Sequence, residues 1–365
     1  MRDYGLLGEG FEGTVCLTGE ASVYYFTGFY TTARHPKQIG PTAVLLGPGI
    51  KRFVIPEKWR VQIQEQNLKD SGELVSYANT QKAYEECLKT QLRDMDLKKV
   101  WVEYGELDIP TYQMLETLAD QLGDITKKMA SIRLIKTPEE IRKLRQSARV
   151  AVEAMEYAKT ILSPGMRELD AVADIEYHMR KNGSDGVPFT MKLLSGDNAS
   201  VVTRVPGNRV MQKGDLVLID FGARVNGYSS DWTRTFCLGE ASREQQEMYD
   251  LVWKMERECI SLIKPDLPME QLMEKVFEIA KGHPYGKYFN PHLGHSVGIT
   301  SHEWPIIEPG VTETLRENMV ITVEPGVYIP GMGGVRIEDE ILVTKDGYEI
   351  LTGLKEEKLV LKTEA

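Results

Sequence analysis

The feature that most restricts how this chain can fold is a set of charged side chains standing where apolar ones belong. Asp220 ends Leu-Val-Leu-Ile-Asp, an apolar strand-like run, and Asp231 follows 11 residues later, after Gly227-Tyr228. That distance suits a hairpin that returns the second carboxylate to the first. Glu324 ends Met319-Val-Ile-Thr-Val-Glu and precedes Pro325-Gly326; Glu338 comes 14 residues on, inside Val335-Arg-Ile-Glu-Asp-Glu-Ile-Leu-Val343. His295 lies in Gly294-His-Ser-Val-Gly298. Any one such carboxylate is ordinarily a solvated turn residue, and a lone histidine after glycine is ordinarily surface or core filler. Five of them at two hairpin-like spacings are not so easily dismissed. Buried without partners, each would cost several kcal/mol. One imidazole and four carboxylates make a hard, oxygen-rich set suited to Mn²⁺, Co²⁺ or Zn²⁺. Carboxylates gathered this closely repel one another, and two divalent ions would balance their four charges. The arithmetic favours a dinuclear centre.

The remaining pattern divides the chain in two. At 365 residues it exceeds one comfortable core. Up to residue 132, short apolar runs alternate with helix-forming stretches. Ser22–Phe26, Thr42–Leu46, Arg52–Ile55 and Lys99–Glu103 read as strands of an α/β domain with a mixed sheet. From 133 to 365 the texture is α+β. Thr137-Pro138-Glu139-Glu140 opens a helix with a capping box, and Ile141, Leu144, Ala148, Ala151, Met155 and Ala158 follow on one face. A second helix runs from about Arg167 to Lys181, a third begins at the Ser242 cap, and a fourth spans Met269–Lys281. Strands over Leu216–Phe221, Arg234–Leu238, Met319–Val323 and Arg336–Val343 lie between and after these pairs. The order suggests a duplicated half in which helix pairs cover one face of an antiparallel sheet.

Composition narrows the partners. With 44 Lys plus Arg against 54 Asp plus Glu, the net charge of −10 argues against nucleic acid. No apolar run reaches the roughly 18 residues that a membrane helix needs, and the N-terminus lacks a signal-peptide pattern. Cys16, Cys87, Cys237 and Cys259 form no CxxC pair, so reduced, buried thiols in a cytoplasmic protein are expected. A small peptide or other small molecule is the expected partner, with neither nucleic acid nor membrane, and a homodimer the expected assembly.

DFGARVNGYSSDWTRTF, GHSVGITSHEWP, ITVEPGVYIP and GGVRIEDEILVT resemble, in order and spacing, the signature blocks of the pita-bread metallopeptidases. That family includes methionine aminopeptidase, aminopeptidase P, prolidase (Xaa-Pro dipeptidase) and creatinase. The resemblance covers about residues 133–365, while SVYYFTGF is similar to the extra N-terminal domain of prolidases, aminopeptidases P and creatinase. It implies a C-terminal pita-bread domain, with duplicated helix pairs on a curved antiparallel sheet, behind a smaller creatinase-like α/β domain. It further implies that Asp220 chelates one ion, that His295 and Glu324 hold the other, and that Asp231 and Glu338 bridge. A hydroxide between the ions would be the nucleophile, and Glu324 its proton acceptor. His302 matches the family's second histidine, whose implied role is to contact the scissile carbonyl and the developing oxyanion; otherwise it is an exposed loop imidazole. Arg336 would orient the metal-holding carboxylates, or else be a strand-surface cation.

Two positions depart from that pattern. Peptide-cutting relatives place a histidine where this chain has Thr203, and its loop, Ser200–Asn208, contains none. Prolidases and aminopeptidases P carry a histidine four residues before the metal histidine, where Pro291 stands here. His292 is one place off: it is a substrate-pocket candidate with Thr203 and Arg204 if a shifted loop lets it replace that histidine, but an imidazole so displaced is expected to point elsewhere. Arg204 and Arg209 either hold a substrate carboxylate or are solvated loop charges. The leading expectation is a dinuclear metal-dependent hydrolase cutting Xaa-Pro bonds. A hydrolase or lyase of small non-peptide molecules on the same scaffold is the second, and a non-catalytic binding module the third.

Overall fold

The computed structural model describes residues 2–30, 40–66, 68, 71–353 and 358–361. The chain divides into two compact units, Met1–Arg133 and Leu134–Ala365.

The first unit is built on a six-stranded mixed sheet ordered β4-β3-β2-β1-β5-β6. Its strands are β1 (Thr14–Leu17), β2 (Ala43–Gly47), β3 (Ile50–Pro56), β4 (Glu73–Tyr77), β5 (Val100–Val102) and β6 (Leu122–Asp124). Its helices are α1 (Glu20–Thr27), α2 (Arg60–Glu65), α3 (Gln81–Leu92), α4 (Ile109–Leu118) and α5 (Thr126–Leu134), the last closing the unit. The run Ser22–Phe26, expected as a strand, lies inside α1. Every residue from Ser22 to Thr27 is buried, so the helix leaves no polar face to betray its period. Gly28 ends it in the left-handed conformation, its N–H donating to the Tyr24 carbonyl. β4 and β6 were not expected; both are short and partly exposed.

The second unit repeats a helix pair and a sheet. α6 (Pro138–Ile161) and α7 (Glu168–Lys181) precede β7 (Lys192–Ser195), β8 (Leu216–Phe221), β9 (Arg224–Val225), β10 (Tyr228–Ser229) and β11 (Trp232–Leu238). α8 (Arg243–Leu262) and α9 (Glu270–Lys281) precede β12 (Gly294–Ser296), β13 (Glu303–Ile307), β14 (Val320–Val323), β15 (Gly326–Ile329), β16 (Gly333–Arg336), β17 (Asp339–Thr344), β18 (Gly347–Ile350) and β19 (Val360–Leu361). Capping boxes start α6 at Thr137 and α8 at Ser242, as the sequence predicts. The sheets are ordered β19-β11-β8-β7 and β13-β12-β14-β17-β18, with β15-β16 a separate ribbon. The strand pairs within these sheets are antiparallel except β11–β19.

Strand alternation decides what faces the helices. Val217, Ile219 and Phe221 pack into one core with α6 and α7, while Leu218 packs instead with Leu194, Ala199 and Tyr328. Asp220 shares the Leu218 face. On β14, Ile321 and Val323 join the core with α8 and α9, leaving Thr322 and Glu324 on the opposite side. The strand expected over Arg336–Val343 is broken: β16 stops at Arg336 and β17 begins at Asp339, with Glu338 in the gap. Glu338 makes a bridge to Thr233 there, leaving the β16 ladder to reach another strand. The four cysteines are unpaired, and three are buried, with Cys87 half-buried. No helix among the described residues is long and apolar enough to cross a membrane.

Candidate metal centre

Four residues on neighbouring strands lie side by side across the second unit. Lys192 pairs with Asp220, Asp220 with Thr233, and Thr233 with Glu338. Directly opposed residues of an antiparallel pair project to one face, so this row carries two carboxylates to the same side. Asp231 is brought in by the return from β8 to β11, with Trp232 opposite Phe221. Gly222 permits that close return, because a Cβ there would collide with the Ser230 carbonyl. Gly294 does the same beside His295, where a Cβ would strike the Thr322 carbonyl. Thr322 Oγ1 accepts from the His295 N–H at 3.1 Å and lies 3.4 Å from Glu324 Oε1.

These strands bring all five expected ligand residues together. Ligand atoms of Asp220, Asp231 and Glu338 lie within 4.8 Å of one another, as do those of Asp231, His295 and His302, and those of His292, His295 and Glu324. The groups overlap at Asp231 and His295. His295 Nδ1 lies 3.1 Å from the Ser296 carbonyl, which can only accept, so Nδ1 holds the proton and Nε2 presents its lone pair. That lone pair faces Glu324 Oε1 at 3.1 Å and Asp231 Oδ2 at 3.6 Å. Acceptors converging in this way call for a cation among them, and the oxygen-rich donor set fits a divalent metal ion. The electrostatics agree. Burial, then the nearby Glu338, Asp220 and Glu324 carboxylates, push Asp231 well above the usual carboxylate range. Burial followed by Glu324 and Asp220 does the same to Glu338. Burial also works against ionised Glu324, but the bond from His292 and the neighbouring His295 imidazole outweigh it and hold that group well below its ordinary value.

The surrounding residues fix these side chains. Thr233 Oγ1 donates to Glu338 Oε2 at 2.6 Å and receives Arg336 Nε at 3.2 Å. Arg336 also donates to Asp220 Oδ2, and to the Tyr328 hydroxyl at 2.6 Å. It is a buried anchor rather than a strand-surface cation. Lys192 Nζ lies 3.5 Å from the same Asp220 oxygen. These two cations weaken the expectation that four carboxylates must be balanced by two ions, since part of the charge is met by the protein itself.

His302 is exposed overall, yet its ring stacks on His295 with centroids 3.9 Å apart. Partial burial, then His295, lower its pKa to about 4, so it is a neutral imidazole near neutral pH. Ser301 Oγ lies 3.1 Å from its Nδ1, and Phe189 meets the ring edge-on at 6.2 Å. His292 corrects an expectation. Instead of pointing elsewhere, it places Nε2 3.2 Å from Glu324 Oε1, and the bond raises the imidazole's pKa. A displacement of one residue is absorbed because Asn290–Leu293 is irregular backbone, where strand alternation does not apply. Arg209 is also not the solvated or substrate-holding cation anticipated: it is locked to Asp215 Oδ1 at 3.0 Å and to Ser195 Oγ at 2.6 Å. Arg204 is exposed and donates to Asn198 Oδ1. Thr203 is exposed on the same loop.

Residues 142–345 match metallopeptidase family M24. The chain belongs to that family. Residues 13–135 match the creatinase/prolidase N-terminal domain. A Staphylococcus aureus (strain USA300) protein named as an uncharacterized peptidase is 33% identical over 92% of this chain and 93% of its own length. Among solved structures, a Xaa-Pro dipeptidase from Bacillus anthracis is 30% identical with a TM-score of 0.86, covering 96% of this chain and 95% of its own. An X-Pro aminopeptidase from Thermotoga maritima MSB8 has the same TM-score at 26% identity, with 96% of each chain covered. The M24 chain thus has the two-domain creatinase-like architecture of the pita-bread metallopeptidases, and family membership implies divalent metal ions.

Proposed function

We propose that this chain is a dinuclear metal-dependent peptidase that cleaves Xaa-Pro bonds in dipeptides or short peptides. The observation that carries the proposal is the overlap of three ligand groups through Asp231 and His295. Two divalent ions, with Mn²⁺, Co²⁺ or Zn²⁺ suited to the donors, would polarise the scissile carbonyl and acidify a water between them. His295 and Glu324 would hold one ion and Asp220 the other, with Asp231 and Glu338 shared between them. Arg336 and Thr233 orient the carboxylates. Glu324 takes the proton from the attacking water, and His302, neutral and at the exposed edge of the cluster, donates to the developing oxyanion. His292, reaching Glu324, takes the place of the histidine that Pro291 displaces. The similarity to a Xaa-Pro dipeptidase and an X-Pro aminopeptidase supports the substrate class.

A small non-peptide substrate is the second reading, and Thr203 favours it. A hydroxyl cannot supply an imidazole's acid–base function near neutral pH. One comparison separates the two: Xaa-Pro dipeptides, longer X-Pro peptides and N-methylated small molecules, assayed with Mn²⁺ or Co²⁺ in the wild type and in Thr203→His. The peptidase reading expects turnover of an X-Pro substrate, raised by the substitution. Turnover of only a non-peptide molecule, lowered by the same substitution, would replace it.

A further inference from the structure

In the row Lys192–Asp220–Thr233–Glu338, Lys192 meets part of the carboxylate charge but does not exhaust its donors on it. Lys192 is the cross-strand partner of Asp220 and therefore projects onto the face that carries the carboxylates, whatever rotamer it adopts. Its ammonium lies 3.5 Å from Asp220 Oδ2, an oxygen that Arg336 already serves at shorter range. Lys192 is thus not the main partner of Asp220, and an ammonium carries three donors. Its side chain stays 31% exposed, against 9% for Asp220 and 5% for Arg336. Three residues upstream, Phe189 packs edge-on against His302, so Phe189 and Lys192 flank one wall of the site while Met191 turns into the helix-facing core. A solvent-accessible cation on that wall, among residues that otherwise gather cations, has a natural ligand in a substrate anion.

We propose that Lys192 is a specificity-determining residue that binds a substrate carboxylate lying about one residue from the scissile bond. The reach follows from the geometry. A carboxylate held by the ammonium at about 2.8 Å stands within roughly 6 Å of Asp220 Oδ2, a span that one extended residue, roughly 3.5 Å of chain, covers from a scissile group held beside Asp220. The α-carboxylate of a dipeptide fits that distance, as does an acidic side chain flanking the cleaved bond. The proposal rests on the peptidase reading for the identity of the scissile group. A single charge-assisted bond discriminates by about 10- to 100-fold.

The test compares an Xaa-Pro dipeptide with its C-terminal amide, using metal-reconstituted wild type, Lys192→Met and Lys192→Arg, with bound metal measured in each. The acid-to-amide ratio of kcat/KM should exceed about 10 in the wild type, fall toward unity in Lys192→Met through KM, and be largely restored in Lys192→Arg. A ratio near unity in the wild type, or an equal loss on acid and amide in Lys192→Met, overturns the proposal while leaving the peptidase reading intact. If neither peptide is turned over, it is the peptidase reading that fails. Calorimetric binding of the same two peptides then judges Lys192: the same discrimination, lost in Lys192→Met, supports it, and equal affinities overturn it.

Discussion

At the scale of single residues, His302 is the most exposed member of the cluster and also the one most clearly kept neutral. Partial burial and the stacked His295 ring lower its pKa, so it has a proton to share by hydrogen bonding but carries no charge to repel a metal ion. On the proposed role, His302→Ala lowers kcat by about 10²–10³, as expected for loss of one oxyanion donor, with bound metal unchanged. Steady-state kinetics beside elemental analysis checks this, and an effect confined to KM would make the residue a substrate-positioning group. The convergence of the proposed ligand residues was legible in the sequence, because a carboxylate ending an apolar strand conflicts with its surroundings. His292 and Arg209 were less so. Both lie in irregular segments, where neither period 2 nor period 3.6 assigns a direction to a side chain. Lys192 had a faint signal, a single cation inside Phe-Thr-Met-Lys-Leu-Leu, but its meaning depends on the register with Asp220, which only the pairing of β7 with β8 supplies.

Among elements, the loop that carries His302 depends on one carboxylate. Glu303 Oε1 accepts the Ile299 N–H at 3.0 Å, while Oε2 pairs with Lys136 Nζ at 3.1 Å, the two side chains being 5% and 1% exposed. Removing one partner of such a pair leaves a buried charge and loose backbone donors. Glu303→Ala should therefore cost about 3–5 kcal/mol in denaturant unfolding, and should lower turnover by releasing His302. A loss under about 1 kcal/mol would show that water reaches the pair. The elements also show where sequence patterns stop. Capping boxes located α6 and α8, because they are local chemistry. α1 was read as a strand, because a helix buried on nearly every side loses its amphipathic period while its Val-Tyr-Tyr-Phe run keeps a strand's composition. The break at Glu338 was missed because Val335, Ile337, Ile341 and Val343 keep one period-2 face across it, which conceals a change of partner from β15 to β14.

For the molecule as a whole, the duplicated helix-pair-and-sheet plan of the second unit explains why carboxylates and imidazoles so distant in sequence converge. Each half turns apolar residues toward its helices and leaves alternate positions for the site: Asp220 from β8, and Glu324 from the end of β14. The central claim is that this convergence builds a two-ion centre bridged by Asp231 and Glu338. Charge balance no longer demands it by itself, given Arg336 and Lys192, so stoichiometry is the decisive quantity. Elemental analysis after reconstitution with excess Mn²⁺ or Co²⁺ should approach about two ions per chain in the wild type, and at least one should be lost in Asp231→Ala and in Glu338→Ala. Full dinuclear loading in both variants, or a wild type that never retains more than one ion, would contradict it.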